Sequence, residues 1–437
     1  MFLLLRISVT LFLSLILLFV TSLQEIKGDQ PLTITINEGS VRALSLAMVP
    51  MNDDKLIGIF DIVAKDLKLT GRIDIFNQES ISSQPNGFKE VNFKNWRIFG
   101  VENILIGSIE RTDSEYVLTI ELIDVLRQII VKKEKFLIHK DGERKIAHSI
   151  SDMIYLELIG RLGSFNSKLA YVAVSDLGSG RSYSLIISDY DGYNQKKILN
   201  SAFPLLSLAW SPKAKKIAYV SFESGQSAIY IQGLKTGIRK EIRYGDGIVG
   251  APAFSPDSSS IIFTASTSGN IDLYRYNMET DSVARFTNLD SIETEASFSP
   301  SGKKILFTSN KSGGTQIFRM ENKPFSVPER VTFGLSKFNA NPVHSLDGKK
   351  FAYVTKILNS YQIVVSDLEQ NQIRLISRGK FDESPSFSPN GDMIVFSAKN
   401  GIRSELILRS VEGLDVEHRV SFPDSSLIEP SWSPNFE

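Results

Sequence analysis

Trp210-Ser211-Pro212, Phe254-Ser255-Pro256, Phe298-Ser299-Pro300, Phe387-Ser388-Pro389 and Trp432-Ser433-Pro434 are copies of one phrase, and a degenerate copy, His344-Ser345-Leu346, fills the gap in the series. Counted from Pro212, the marks lie 44, 44, 46, 43 and 45 residues apart, the signature of a repeat array. Each opens the same sentence. An aromatic residue ends a strand, and a Ser-Pro-x-Gly turn or a relative of it follows, with Pro pre-setting φ. An apolar strand comes next: Lys216 to Val220, Ser260 to Ala265, Lys304 to Ser309, Lys350 to Thr355 and Met393 to Ala398. A third strand alternates, as in Ile271-Asp272-Leu273-Tyr274, and a more polar fourth closes the unit, as in Ile238 to Arg243 or Arg330 to Phe333.

Four short antiparallel strands in about 44 residues make a propeller blade, and radial repetition hides most of the sheet edges. A further copy without its own mark begins at Lys168-Leu169-Ala170-Tyr171, whereas the last mark, at Trp432, has no strands after it. The segment 427–437 therefore supplies the inner strand that this first blade lacks, which predicts a six-bladed β-propeller over 164–437 with the two ends joined.

Upstream the repeat is absent. Residues 1–28 read as a secretory signal peptide: Met1 to about Leu23 holds a single positive charge, Arg6, followed by an uncharged run from Ile7 to Val20, and polar residues come after it. A membrane anchor is the alternative reading, since the run is near the lower length for spanning a bilayer. Between 29 and 163 the pattern predicts a small α/β domain. Its helices run from Asn52-Asp53-Asp54 to Gly71, over Phe93 to Phe99 and over Glu143 to Leu158; its strands lie at Ala43 to Val49, Ile73 to Phe76, Asn103 to Glu110, Tyr116 to Asp124 and Gln128 to Ile138. Leu32-Thr33-Ile34-Thr35-Ile36 alternates as a strand or an extended arm.

Charge is balanced, 49 basic against 49 acidic residues, so nothing points to nucleic acid or an anionic surface. Cysteine is absent, which removes disulfides, thiolate catalysis and zinc–cysteine sites. The four histidines, His139, His148, His344 and His418, show no metal-ligand spacing and read as surface or half-buried residues. No Gly-x-Ser-x-Gly elbow occurs. Asp189-Tyr190-Asp191-Gly192 opens like a calcium loop but lacks the later ligands, so a tight turn between strands is expected. Acidic residues recur just before the inner strands, at Glu293, Glu295, Asp382, Glu383 and Glu429, with Asp246 in the corresponding loop. They are expected in loops at one mouth of the channel, as solvated charge or as a recognition rim.

An α/β domain followed by six blades opening on Trp/Phe-Ser-Pro resembles the TolB family of periplasmic Tol–Pal proteins. The likeness is carried by Ser188-Asp189-Tyr190-Asp191-Gly192-Tyr193-Asn194-Gln195, Ala218-Tyr219-Val220-Ser221-Phe222-Glu223-Ser224-Gly225, Gly250-Ala251-Pro252-Ala253-Phe254-Ser255-Pro256 and the final Trp432-Ser433-Pro434. It weakens at His344-Ser345-Leu346 and from Gln78 to Asn92. The resemblance implies a periplasmic, non-enzymatic adaptor without a cofactor that supports outer-membrane constriction during division. It implies binding of the lipoprotein Pal through Ile248, Thr294, Glu295, Asp382 and Glu383, and of the inner-membrane protein TolA through Leu32, Thr33, Ile34, Thr35, Ile36 and Asn37. The competing class is an exported propeller enzyme of the lactonase or cyclotransferase type, with a metal in the channel.

Overall fold

The computed structural model describes residues 42–435, apart from 50–53, 77–84, 112–115, 139–141, 369–371, 413–415 and the single positions 177, 179, 246, 268 and 335. The expected signal segment, the arm Leu32 to Asn37, the capping residues Asn52 and Asp53, His139 and Asp246 lie outside the described residues.

The first domain is built as β1 (Leu44–Val49), α1 (Asp54–Leu69), β2 (Ile73–Phe76), a 3-10 turn at Phe88–Glu90, α2 (Phe93–Ile98), β3 (Asn103–Arg111), β4 (Tyr116–Asp124), β5 (Ile129–Ile138) and α3 (Glu143–Ile159). Its five strands form one sheet ordered β2-β1-β3-β4-β5, with β1 parallel to both of its neighbours. Apolar residues at helical spacing bury one side of α1 and α3: Val63, Leu67, Ile150 and Ile154 join Leu118, Ile120 and Leu122 of β4 in one cluster. The opposite face of the sheet is covered by Trp96 and its neighbours against Ile104, Ile106 and Ile123. Helix α3 stops at Gly160, whose φ of 79° suits the left-handed cap.

Among the described residues twenty-four strands follow, β6 (Lys168–Asp176) to β29 (Ser425–Trp432), in six four-stranded sheets. Five sheets use consecutive strands. The sixth is ordered β29-β6-β7-β8, with β7 at Arg181–Asp189 and β8 at Lys196–Ser201, so the strand Ser425–Trp432 is the inner strand of the first blade. The fourth strands are shorter than the sequence predicts: only Glu329–Arg330 pairs where Arg330 to Phe333 was expected. Outer strands have one neighbour instead of two, so pairing fades as the chain turns away.

The serine of the repeated phrase has one job in every blade. Its hydroxyl accepts the backbone N–H five residues on, from Lys216 to Ser211 (3.0 Å), Ser260 to Ser255 (3.0 Å), Lys304 to Ser299 (3.1 Å), Lys350 to Ser345 (3.0 Å) and Met393 to Ser388 (3.0 Å). Its own N–H donates to the carbonyl of that same residue. Serine thus satisfies both sides of the tight turn where a strand reverses. At the last mark the pinned residue comes from the far end of the propeller sequence. Ser433 instead accepts the N–H of Lys168 at 2.9 Å, and donates to its carbonyl at 2.9 Å, across a separation of 265 residues. The degenerate mark loses its aromatic and proline but keeps its serine, and with it both turn bonds.

The two domains share a core. Leu46, Val63, Ile154 and Tyr155 of the first domain belong to the same buried cluster as Phe165, Tyr171, Tyr190, Met393, Leu408 and Trp432. Around it Tyr155 Oη donates to Asp392 (2.9 Å), Arg161 pairs with Asp392 (2.8 Å) and Arg72 with Glu412 (2.6 Å). Two histidines read as surface or half-buried are in fact buried. His148 lies at this junction, drawn in by Asp66, and His344 stands in the wall of the channel where other blades carry an aromatic residue.

If the ring closes through β29, its anchoring side chain carries a large share of stability. Trp432→Ala should cost about 3–5 kcal/mol, and deleting 427–437 should cost more by exposing the edges of β6 and of the neighbouring blade. Chemical unfolding of the full chain and of both variants checks this; an unchanged midpoint would contradict closure through β29.

Candidate functional site

The inner strands surround a channel of about 1090 Å³. Its geometry is set by a defect that recurs in every blade. Ser207, Ala251, Glu295, Asn341, Ser384 and Glu429 all take left-handed φ values between 46° and 55°. Each stands five residues before the last position of its mark, and at each the pairing with the second strand shifts register. None of the six is glycine, so each spends on the order of 1–2 kcal/mol in an unfavourable backbone region. Bulges of this kind bend a strand and re-aim its side chains, and they concentrate where surfaces are used.

Two bulges are held by glutamates from neighbouring inner strands. Glu429 accepts the N–H of Ser207 at 2.9 Å, joining the inner strand of the first blade to that of the second. Glu295 accepts the N–H of Asn341 at 2.8 Å and the hydroxyl of Thr308 at 2.7 Å. Burial, reinforced by the nearby charges of Glu383 and Glu295, pushes the Glu429 carboxyl up to about 7 despite its bond to Ser207. Glu383 belongs to the same acidic group; although the residue as a whole is exposed, partial burial of its carboxyl against the channel wall raises it above the ordinary range.

The sequence-predicted rim residues come together: Ile248, Thr294, Glu295, Asp382 and Glu383 all line this channel. Their setting differs from the expected loops. Glu293, Thr294 and Glu295 are the first residues of the strand Glu293–Phe298, and Asp382 and Glu383 open Asp382–Phe387. The hydrogen-bonding pattern of the inner strand extends further toward the mouth than the aromatic-Ser-Pro phrase suggests, because the bulge adds a residue and lets pairing resume beyond it. Asp382 and Glu293 are fully buried. Asp382 accepts the N–H of Gly379 at 2.8 Å. Glu293 accepts the hydroxyls of Ser291 (2.5 Å) and Ser309 (3.1 Å), and burial raises its carboxyl to about 7. These two anchor the entry loops from beneath. Thr294 accepts the hydroxyl of Thr264 at 3.0 Å, and Ile248 is 68% exposed. Glu383 is exposed.

An apolar feature of the mouth escaped the sequence reading. Tyr361 lies against Phe338 (ring centroids 5.4 Å apart, 84°) and Phe381 (6.1 Å, 25°), with Lys356 over the Tyr361 ring and Lys399 over that of Phe381. Phe381, Ile248 and Ile292 are exposed there. Exposed aromatic and aliphatic groups around a concave, partly acidic centre suit a protein partner, whose anchors would fill the mouth while polar groups surround them.

The Asp189-Tyr190-Asp191-Gly192 segment forms a tight turn. Although His148, Asp189 and Asp191 converge, the protein supplies their counter-charges. Arg144 bonds Asp191 at 2.5 Å and reaches Asp189 at 3.4 Å, and Lys168 bonds Asp189 as well. The lysine and asparagine hydrogen bonds hold the Asp189 carboxyl below its usual range against the opposing effect of burial.

Comparison with known proteins agrees with this architecture. The model of the TolB amino-terminal domain matches residues 32–131, and that of the TolB beta propeller domain matches 155–436. The chain is 45% identical to the Tol-Pal system protein TolB of Hydrogenovibrio crunogenus, over 92% of this chain and 94% of the relative. It is 44% identical to that of Xanthomonas oryzae pv. oryzae, over 94% and 95%. The crystal structure of TolB from Acinetobacter baumannii superposes with a TM-score of 0.82 at 35% identity, covering 91% of this chain and 98% of that one. With both domains matched and relatives this similar along nearly their whole length, the chain belongs to the TolB family and is a component of the Tol-Pal system.

Proposed function

We propose that this protein is a periplasmic, non-enzymatic adaptor that docks Pal on the channel mouth and TolA on its N-terminal arm, and so supports envelope constriction at division. The observation that carries the first contact is the composition of the mouth, where exposed Phe381, Ile248 and Ile292 surround acidic groups. Within that group the two bonded glutamates differ from Glu383. Glu295 and Glu429 are engaged with backbone N–H groups of neighbouring inner strands, so their carboxylates serve the ring as well as any partner. Glu383 stands exposed and is the acid that a partner's cation can reach. The arm Leu32 to Asn37 would add as a strand to a partner's sheet edge, backbone bonds supplying affinity and alternate side chains choice. Among the described residues no helix is long and apolar enough to cross a membrane. In this reading Pal supplies the attachment to the outer membrane.

Glu383→Lys should weaken binding of the soluble Pal domain at least tenfold, about 1.4 kcal/mol, with an unchanged melting temperature. Glu295→Lys should lower the melting temperature too, because it removes the carboxylate that accepts both the Thr308 hydroxyl and the Asn341 N–H, leaving the latter only its longer bond to Thr308 Oγ1. Calorimetric titration and thermal unfolding of both variants separate the two roles; full affinity in a folded Glu383→Lys variant would move the Pal contact elsewhere.

Removing residues 29–37 should abolish binding of the TolA C-terminal domain and spare Pal binding. Titrating TolA with and without saturating Pal then measures any coupling, which must be reciprocal. Retained TolA affinity in the truncated chain would sink the arm as its docking site.

A further inference from the structure

The junction between the domains is organised around one buried carboxylate. Asp66 of α1 is almost fully buried and accepts three hydrogen bonds: from His148 Nδ1 at 2.8 Å, Ser151 Oγ at 2.7 Å and Tyr190 Oη at 2.6 Å. The first two donors come from α3 and the third from the propeller. Tyr190 in turn stacks on Trp432, the closing residue of the ring, with ring centroids 6.2 Å apart and planes at 16°.

The other nitrogen of His148 fixes its protonation in this arrangement. Arg144 Nη2 lies 3.3 Å from His148 Nε2. A guanidinium can only donate, so Nε2 accepts and the ring is neutral, with its proton on Nδ1 toward Asp66. A second proton on Nε2 would end that contact. Arg144 has somewhere to go, since it already bonds Asp191 and reaches Asp189. The imidazolium would then face Asp66 as a full ion pair in a buried site, where a charge-assisted bond is about twice as strong as a neutral one.

We propose that His148 is a proton-dependent latch between α1 and α3 where they meet the propeller, gripping Asp66 more strongly as the surroundings acidify. Every charged or titratable neighbour bears on that balance. Helix α1 contributes Asp66, and α3 contributes Arg144 and Asp152; the propeller contributes Lys168, Asp189, Tyr190, Asp191 and His418, whose Nε2 donates to the Asp191 carbonyl at 2.9 Å. Burial works to lower the His148 value, but the bond and charge of Asp66, with the charge of Asp191, outweigh both burial and Arg144, leaving it raised. A raised folded value means that the stabilisation is fully present below the ordinary histidine value of about 6.5 and is lost as pH rises through the folded value.

The test uses the full mature chain. Ring-proton NMR of its histidines, with His148→Gln to assign the signal, should show His148 titrating above the ordinary value. The melting-temperature gap between wild type and His148→Gln should be widest near pH 5.5 and narrow toward about pH 8.5. Asp66→Asn should drop the His148 titration below the ordinary value; should that variant fail to fold, the wild-type titration decides alone. A His148 that titrates at or below its ordinary value, or a gap constant across this range, would overturn the latch.

Discussion

The structure depends on a serine hydroxyl bonded to a backbone N–H five residues ahead, repeated until it must reach across the chain ends. A propeller blade needs a tight reversal between its first two strands, and such a reversal leaves backbone groups that must find partners. Ser211, Ser255, Ser299, Ser345 and Ser388 solve this within each blade. Ser433 solves it between residues 265 apart in sequence. The same local chemistry therefore does two jobs, turning a strand in five blades and closing the ring in the first.

Closure has consequences at two places along β29. At its bulge Glu429 crosses to the inner strand of the next blade and holds the bulge at Ser207. At its C-terminal end Trp432 donates its indole N–H to Ser167 at 2.7 Å and stacks on Tyr190, which touches Asp66 of the first domain. One strand thus borders the channel and the domain junction. A change in packing at either place bears directly on the strand that completes the ring, which gives the two regions a short physical connection.

Much of this was legible in the sequence because the signals are local. The spacing of the aromatic-Ser-Pro phrases fixes the blade count, and the missing strands after Trp432 imply closure by the chain ends. The acidic residues of the mouth were found for the same reason, by their fixed offset from those phrases. What local pattern could not convey is how they are spent. Glu295 and Glu429 look like Glu383 in sequence, yet their partners Asn341 and Ser207 lie 46 and 222 residues away. The bulges were hidden because serine, alanine, asparagine and glutamate occupy them where glycine would have been a signal. His148 read as a surface or half-buried residue for a similar reason: the carboxylate that draws it fully inward lies 82 residues upstream. The aromatic cluster of Phe338, Tyr361 and Phe381 likewise assembles from separate segments of two adjacent blades.

Amide hydrogen exchange at Lys168 tests the closing bond most directly, since its N–H has Ser433 Oγ as partner. In the wild-type chain this amide should exchange as slowly as that of Lys216, which the serine of an internal blade holds in the same way. In Ser433→Ala the Lys168 amide should lose its protection while Lys216 keeps its own. Fast exchange at Lys168 in the wild type, or identical protection with and without the Ser433 hydroxyl, would contradict a ring closed by this serine.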